Sequence, residues 1–576
     1  MNIKNILLKN VKNALKPSNL DLRNLKIKKT KFKKFGNYQI DGIFSILNKN
    51  KINLNELLNK ILPIINMKLI NVSEKIEFVK PGYINIFLKK SWIEDNLLKI
   101  YHSNKLGISK LKKKTIIIDY SSPNIGKEMH VGHMRSTIIG DSISLILELL
   151  GHKVIRANHI GDWGNQFGML LAYFNEKQNL KFSEITCTDL ENYYINAKKK
   201  YDKDLEFKKK SQFFTLKLQK KEKDCINIWK KITNLSIENN QKIYDQLNIK
   251  LNKTHIMGES LYNDFVPYII SDLPKKNLAI NKSGNIMVIL NNFKNKQGKS
   301  MGVILKKRNG TYLYSVIDIA CIKYRYDFFK AQKIIYYTDS RQSQHLLQVF
   351  DIVRKAKYIP NFVKLEHHKF GMVLKKDKTP FKTRSGDTIK LSDLLKKSKE
   401  KAKKLIIKKN PNTSIDEIES LSQAIGIGSI KYFELSKNRE TDYIFNWDNI
   451  LSFNGNTAPY IQYAYTRVIS LIKKNKLKNK NNVKFLLKKE EEIDLSICLL
   501  QFEEIINDVS KLGTPHILCN YLYDLSKTFS VFYENCSIIK TKEESVKNSR
   551  LFLSILTSRT LKVGLELLGI PMVEKM

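Results

Sequence analysis

The 576-residue sequence lacks the features of a disulfide-stabilised, secreted or membrane-spanning protein. Its six cysteines lie far apart without a Cys-x-x-Cys pair, which argues against a zinc site or a disulfide framework and for a reducing compartment. No uncharged apolar run approaches the roughly 18 residues that span a bilayer. The first residues also lack the apolar core and cleavage site of a signal peptide. We therefore expect a cytoplasmic protein that makes no membrane contact.

Acidic residues are scarce relative to basic ones. With 101 Lys and Arg against 55 Asp and Glu, the formal net charge is +46, which suits a polyanionic partner such as RNA or DNA. Lys, Asn and Ile are abundant throughout the chain, including its loops, so the charge can equally reflect compositional drift. Charge alone leaves both interpretations open.

One of the 12 prolines, Pro123, lies in the stretch 119–135, relative to which the other predicted elements can be placed. Residues 115–118 are a β-branched run that is typical of a buried parallel strand. Pro123 and Gly126 then break the chain, and from about 131 to 150 apolar residues recur at helical spacing. A strand, a turn and a helix start predict a phosphate site, because unpaired backbone N–H groups and the helix dipole face one crevice.

Lys127, His130 and His133 lie at this predicted helix start. The two histidines are three residues apart and share one side of the first turn. That spacing differs from the His pair of zinc proteases, so a metal site is an alternative with little support, and a pair of structural histidines is another. The glycine between them lets a ligand approach the backbone closely. We favour two imidazoles that donate hydrogen bonds to a phosphate and stabilise charge on its oxygens.

The order of elements predicts an α/β protein. We expect a Rossmann-like doubly wound parallel-sheet catalytic domain, an N-terminal α+β module and a C-terminal α-helical bundle. The expected parts are residues 1–110, 111–395 with a helical insertion at about 175–255, a helical connection at 396–455, and 456–576. Further predicted strands in the catalytic domain are 153–158, 285–290, 302–305, 311–316 and 333–337, with a helix at 318–329 between the last two.

His130-Val-Gly-His133 resembles the His-x-Gly-His signature of class I aminoacyl-tRNA synthetases, and residues 121–137 resemble its arginyl-tRNA synthetase form. The likeness extends over nearly the whole chain. Further segments that resemble this family, in the same order, are 158–168, 310–320, 339–342, 456–467 and 564–569.

The resemblance implies a reaction and its partners. Arginine and ATP would form arginyl-adenylate and pyrophosphate, and the arginyl group would pass to the 2′-hydroxyl of the terminal adenosine of tRNA(Arg). His130 and His133 would hold the ATP phosphates, Gly132 would leave room for the adenine, and Met372 and Val373 would complete the ATP site. Magnesium would accompany ATP, bound mainly through phosphate oxygens.

The sequence departs from the class pattern at the second phosphate-binding loop. No Lys-Met-Ser-Lys segment is present, and the matching position is the degenerate 381–386, with Lys382 and Arg384. Many arginyl enzymes that share this feature are thought to use the lysine before the His-x-Gly-His element instead. The resemblance therefore implies a catalytic role for Lys127, although Gly126 stands where the family more often has alanine.

Recognition of a guanidinium favours carboxylates placed for bidentate contact. The resemblance places Asp119 and Asp318 in this role, and a helix cap is the alternative for each, most clearly for Asp318 at a predicted helix start. The other residues implied for the arginine site are Tyr314 and Gln342 on the side chain, and Ser122, Asn124 and His159 at the amino and carboxylate groups.

Tyr460, Tyr463 and Arg467 lie on one helix-forming segment. Aromatic residues at such spacing are usually core, but a Tyr/Arg face can also stack on splayed anticodon bases. The resemblance implies that the C-terminal bundle reads the anticodon and that the N-terminal module contacts the tRNA elbow. We expect a monomer. The alternatives are another class I synthetase, or a basic RNA-binding protein on the same fold without catalysis.

Overall fold

The structure is a computed structural model that describes residues 1–576 apart from 19–20, 51–52, 54, 56–58, 60, 81, 178–183, 380–388, 451, 453, 476–482 and 574–576. The strands are β1 Lys26–Lys29, β2 Tyr38–Asp41, β3 Ser73–Val79, β4 Tyr83–Leu88, β5 Thr115–Asp119, β6 Lys153–Ala157, β7 Ile280–Lys282, β8 Asn285–Lys294, β9 Ser300–Lys306, β10 Lys333–Tyr336, β11 Lys364–His367, β12 Val373–Leu374 and β13 Tyr443–Ile444.

The helices of the first half are α1 Ile3–Leu15, α2 Ile43–Asn50, α3 Leu62–Leu69, α4 Lys90–His102, α5 Val131–Leu149, α6 Asn165–Glu176, α7 Cys187–Lys203, α8 Leu205–Gln219, α9 Lys223–Gln246 and α10 Val266–Lys275. Those of the second half are α11 Tyr314–Phe329, α12 Ser343–Lys355, α13 Leu391–Lys409, α14 Ile415–Leu435, α15 Trp447–Ile450, α16 Ala458–Lys474, α17 Glu490–Leu500, α18 Phe502–Leu512, α19 His516–Asn535 and α20 Glu544–Leu567.

The N-terminal module is an antiparallel sheet, in the order β1-β2-β4-β3, covered by helices. Helix α1 packs on α3, and α4 packs on α17 of the C-terminal bundle. The Lys4 backbone N–H donates to Glu504 Oε1 at 2.6 Å, so this module and the C-terminal bundle are joined directly. The predicted α+β module is confirmed.

A parallel sheet in the order β11-β10-β5-β6 forms the centre of the molecule. Its two faces belong to different cores. Ile116 and Ile118 pack on the face covered by α5, whereas Ile117 packs with Val316 of α11 and Val349 of α12 on the other. Since both faces are covered, the strands are apolar throughout, as the β-branched run 115–118 predicts. The predicted α/β fold is confirmed.

Residues 311–316 are not a strand, and this prediction is wrong. Helix α11 begins at Tyr314, four residues before the predicted start, and Tyr312 only forms an isolated bridge with Lys306. Val316, Ile317 and Ile319 are buried, so packing of an apolar helix face overrides the β-propensity of the segment. Strands β7, β8 and β9 also leave the central sheet and form an antiparallel sheet of their own.

Helices α7 to α9 form an inserted arm between the sheet strands β6 and β10, as the period of the sequence predicts. The arm is not only a solvated segment, because α6 of the sheet layer packs on both α7 and α8. Helices α13 to α20 then form the predicted helical connection and C-terminal bundle, and β12 and β13 form a small parallel ladder.

The bundle is built directly on α5, which contacts α14, α18 and α20. Lys431 of α14 is buried at this junction and donates to the Leu247 and Gly569 carbonyls at 2.6 and 2.8 Å. In the part of the chain that the structure describes, no helix is long and apolar enough to cross a membrane. The six cysteines are buried free thiols.

Candidate active site

The turn that leaves β5 is strained and tightly held. Ser121 and Ser122 have φ of 70° and 50°, a left-handed conformation that costs side-chain-bearing residues about 1–3 kcal/mol each. The Ser122 N–H donates to Asn158 Oδ1 at 3.0 Å, and the Ser121 N–H donates to Ser136 Oγ at 2.9 Å. Such strain is typical of a functional site, because the surroundings must over-determine it.

His130 and His133 begin helix α5 as its N-cap and third residue. His130 Nδ1 accepts from the Gly132 N–H at 3.0 Å, and His133 Nδ1 accepts from the His130 N–H at 3.2 Å. The rings stack at a centroid distance of 3.9 Å. Because both Nδ1 atoms accept hydrogen bonds, each neutral ring carries its proton on Nε2. The two Nε2–H groups are therefore donors on the side of the rings opposite these helix contacts. A Cβ on Gly132 would lie 2.8 Å from His130 Cε1, so only glycine leaves room for the ring.

Both imidazoles are neutral at neutral pH. Burial, together with the charges of Lys127 and Arg341, lowers the pKa of His130 to about 4. Burial lowers the pKa of His133 well below its ordinary value, with His130 and Lys127 acting in the same direction. The helix start therefore offers Nε2–H donors and backbone N–H groups without a positive charge on the rings.

Lys127 lies in the turn just before this helix. Its ammonium lies 4.3 Å from the centroid of the Tyr194 ring, on helix α7 of the inserted arm. Just after residues 380–388 the chain pairs with the same turn, since the Leu391 N–H donates to the Met129 carbonyl at 2.9 Å. Lys382 and Arg384, predicted to act on the phosphates, lie outside the described residues.

Arg135 ties helix α5 to the segment that contains Gly371 and strand β12. Its guanidinium is buried, forms an ion pair with Glu434 at 2.5 Å and donates to the Gly371 carbonyl at 2.7 Å. Met372 and Val373, the predicted ATP-site residues, follow directly, and Val373 belongs to β12. The sequence did not single out Arg135, because its role depends on contacts more than 200 residues away.

Asp318 lies in the second turn of α11, next to two histidines. Its Oδ2 lies 2.6 Å from His345 Nε2, and its Oδ1 lies 3.7 Å from His159 Nε2. Leu313 is the N-cap of this helix, so the alternative that Asp318 caps it is wrong. Tyr314 is 56% exposed, one turn earlier on the helix, and its ring contacts His345 edge-on at 4.7 Å.

Asp119 is buried below Asp318 and has partners that the sequence did not reveal. Its Oδ2 accepts from Arg325 Nη2 at 2.6 Å, and its Oδ1 accepts from Ser122 Oγ at 2.9 Å. Arg325 is itself fully buried, against the Tyr336 ring. Direct contact of Asp119 with a substrate guanidinium stays a prediction, since both of its oxygens already bind protein groups.

His159 lies between the two aspartates. Burial, the largest influence, would lower its pKa, but Cys321, Asp119 and Asp318 together outweigh it and raise the pKa to about 10. The His159 backbone N–H donates to Ser122 Oγ at 3.2 Å. The structure thus brings Asp119, Ser122, His159 and Asp318 into one cluster.

Glu259 is a member of this site that sequence reasoning missed. Burial and the carboxylates of Asp318 and Asp162 raise its pKa to about 8, although His159 acts in the opposite direction. With Asn124 and Tyr314 it lines a cleft of about 310 Å³. No motif marks Glu259, because it follows the inserted arm and reaches the crevice only through the fold. Gln342, in the turn after β10, does not line this cleft.

Three family descriptions match the chain. Residues 96–447 match "tRNA synthetases class I (R), catalytic domain", residues 461–576 match "DALR anticodon binding domain", and residues 1–88 match "Arginyl tRNA synthetase N terminal domain". The chain belongs to the arginyl-tRNA synthetase family.

Relatives and solved structures of this family align over nearly the whole length. The arginine–tRNA ligase of Buchnera aphidicola subsp. Acyrthosiphon pisum (strain Tuc7) is 52% identical and covers 100% of both chains, and that of Serratia proteamaculans is 50% identical over 94% of each. The Plasmodium falciparum arginyl-tRNA synthetase structure has a TM-score of 0.84 at 32% identity, covering 100% of this chain and 98% of its own. The Thermus thermophilus enzyme shares the fold, with a TM-score of 0.82 at 21% identity and full coverage of both chains.

The matched anticodon-binding region of this synthetase carries an exposed aromatic cleft. The Arg467 guanidinium lies between the rings of Tyr463 and Tyr533, at 5.6 and 5.5 Å from their centroids. These residues line a cleft of about 710 Å³. Tyr460 lies half-buried against Tyr523, whereas Tyr465 belongs to the core. The predicted helix face therefore divides into one exposed and one buried part.

Proposed function

We propose that this protein is an arginine–tRNA ligase. The observation that carries the proposal is that the turn after β5 has the neutral imidazole donors of His130 and His133 at one end, and at the other a cluster that contains Ser122, His159, Asp318 and Glu259. The first end suits ATP phosphates and the second a guanidinium. Relatives that are about half identical over their full length carry the same name, which supports this assignment.

In the first step a carboxylate oxygen of arginine attacks the α-phosphorus of ATP, and the bond to the bridging oxygen of the β-phosphate breaks. Nε2–H of His130 and of His133 donate to phosphate oxygens as charge builds on them, and Lys127 adds a positive charge. A magnesium ion held by the phosphates would neutralise the departing pyrophosphate. Among the described residues no group of three His, Cys, Asp or Glu could hold a metal, so the phosphates would carry the ion.

In the second step the 2′-hydroxyl of the terminal adenosine attacks the arginyl carbonyl, AMP leaves, and the hydroxyl proton passes to the departing phosphate or to water. Ser122, Asn124 and His159 hold the amino and carboxylate groups of arginine, and Gln342 contacts the arginine side chain together with Tyr314. The guanidinium binds Asp318 and Glu259 beside Tyr314. Lysine is rejected because it cannot satisfy two carboxylates through one planar fork.

We assign tRNA recognition to the ends of the chain. Tyr463 and Arg467 stack on anticodon bases, Tyr460 supports them, and the module of residues 1–110 contacts the tRNA elbow. Residues 111–395 perform the chemistry, with Met372 and Val373 at ATP and Lys382 and Arg384 in the second phosphate loop. We expect a cytoplasmic monomer.

Exchange of radioactive pyrophosphate into ATP tests this function. Purified protein is assayed with each of the amino acids, with and without tRNA. We expect exchange that depends on arginine and appears only when tRNA is present, as in the related enzymes the sequence resembles. Tight tRNA binding without charging of arginine under any condition would instead indicate the RNA-binding alternative.

A further inference from the structure

Helix α7 of the inserted arm holds two consecutive residues of the signature turn. The Lys127 ammonium faces the Tyr194 ring at 4.3 Å, where the negative face of the aromatic quadrupole attracts it. Nearer the helix start, Thr188 Oγ1 donates to Glu128 Oε1 at 2.5 Å. An element outside the parallel sheet therefore fixes the turn that leads into His130.

The same turn is held from its opposite flank. Lys390 Nζ donates to Glu128 Oε1 at 2.9 Å, and the Val131 N–H donates to the Ile389 carbonyl at 3.2 Å. Glu128 thus joins the arm to the segment that follows the second phosphate loop. Contacts on both flanks therefore hold the backbone of the turn that carries Lys127.

We propose that Tyr194 is a positioning residue for the Lys127 ammonium during arginine activation, which makes the inserted arm part of the catalytic apparatus. The inference rests on the role of Lys127 proposed above. A lysine side chain loses several rotatable bonds when it acts, and contact with a ring restricts them beforehand. The ring attracts the charge of the ammonium and does not act as a hydrogen-bond acceptor atom. The contact is therefore compatible with donation from the ammonium to phosphate oxygens.

Tyr194 also packs in the small core of Met169, Ala197 and Phe207. A lower exchange rate in a Tyr194 variant could therefore also come from loss of this packing. That effect would disturb the arm and would not depend on Lys127. The two explanations differ in whether the effect of Tyr194 depends on the lysine. A double-mutant cycle measures that dependence directly.

The experiment compares exchange rates of Tyr194→Leu, Tyr194→Phe, Lys127→Ala and the double variant Tyr194→Leu/Lys127→Ala, with saturating tRNA. Tyr194→Leu should lower kcat by about three- to thirtyfold, the range expected for loss of a cation–π contact, and leave the arginine KM and tRNA affinity unchanged. Tyr194→Phe keeps a ring and should retain nearly the full rate. The double variant should be no slower than Lys127→Ala.

The adjacent Tyr193 provides a matched control. Its ring lies 5.1 Å from Lys177 Nζ, away from the crevice, so Tyr193→Leu removes a similar contact from the same helix and should keep the wild-type rate. Tyr194→Met serves as a second ringless variant should the leucine variant fail to fold. Thermal unfolding of all variants shows whether the arm is intact.

The outcomes separate the inference from the function on which it rests. A wild-type rate for Lys127→Ala would remove the proposed role of the lysine itself. A slow Lys127→Ala with a wild-type Tyr194→Leu would overturn the positioning role alone. The positioning role is also overturned if Tyr194→Leu lowers the exchange rate by the same factor in the Lys127→Ala variant as in the wild type. The ring would then act only through packing.

Discussion

The two ends of the proposed active site, which we call the phosphate end and the arginine end after the ligands proposed for them, use burial in opposite ways. At the phosphate end, burial lowers the pKa of His130 and His133, so the rings are neutral donors that need no counter-charge. At the arginine end, the charges of Asp119 and Asp318 are balanced by Arg325 and by the neighbouring histidines, whereas burial raises the pKa of Glu259 to about 8. In the proposed function, a substrate anion would therefore be bound mainly by dipoles, whereas a substrate cation would be bound by carboxylates.

The arginine end is itself divided into a closed floor and an open wall. On the floor, Asp119 is 3% exposed and paired with the fully buried Arg325. On the wall, Glu259 lines the cleft beside Tyr314, and Asp318 lies one turn further along the same helix as Tyr314, in contact with His345 and His159. We infer that the floor pair maintains the shape of the pocket and that the wall recognises the substrate.

The largest expected effect comes from removing the ion pair of the floor. Arg325→Met leaves Asp119 buried without a counter-charge, which should lower the free energy of unfolding by about 3–5 kcal/mol. Urea denaturation of the apoprotein measures this change. Arg341→Met is the matched control, because Arg341 pairs with Asp339 at 2.8 Å but is largely exposed, and should cost at most about 1 kcal/mol.

The double variant Arg325→Met/Asp119→Asn sharpens this test. With both charges removed, the buried amide keeps the Ser122 contact, and most of the lost stability should return. Equal stability of Arg325→Met and the wild type would mean that the ion pair does not maintain the floor, and Asp119 would then be available to the substrate.

The second prediction concerns a substitution in the wall that leaves the ion pair of the floor in place. Asp318→Asn removes a charge-assisted contact worth about 1.5–3 kcal/mol, so the arginine KM should rise about 10- to 100-fold while the ATP KM is unchanged. Steady-state exchange kinetics measure both constants. Asp327→Asn, on the same helix but in a surface pair with Lys323, should change neither. A parallel rise in both KM values would contradict a specific role in arginine recognition.

Local sequence signals predict the phosphate end well. The β-branched run 115–118 becomes strand β5, and the helix predicted from about residue 131 begins at Val131. The two histidines and the glycine between them define their own geometry, because their contacts lie within three residues of one another. Because these contacts are local, the same residues would form them in any fold that contains this strand, turn and helix.

The arginine end depends on contacts that no local pattern contains. Arg325 reaches Asp119 across 206 residues, and Glu259 enters the cleft from beyond the inserted arm. The segment 311–316 has strand propensity, yet it starts a helix because Val316 and Ile317 are buried against the central sheet. Family resemblance named Asp318 and Tyr314, but only the fold shows which carboxylate is already paired.

The smallest expected effect is a difference in pH dependence between the two ends. The pKa of Glu259 is raised to about 8, so its carboxyl is mostly protonated near pH 6.5 and mostly ionised near pH 8.5. Arginine keeps its guanidinium charge across this window. Ionisation of Glu259 therefore strengthens binding, and kcat/KM for arginine should rise several-fold between these pH values.

The phosphate end should not share this rise, because the pKa of His130 is lowered to about 4 and the ring stays neutral throughout. The ATP KM should therefore be flat over the same window. Glu259→Gln cannot ionise and should flatten the arginine profile at a lower value of kcat/KM. If the variant keeps the wild-type slope, the titrating group lies elsewhere, on the substrate amino group or the tRNA, and Asp318 alone would supply the charge that binds the guanidinium.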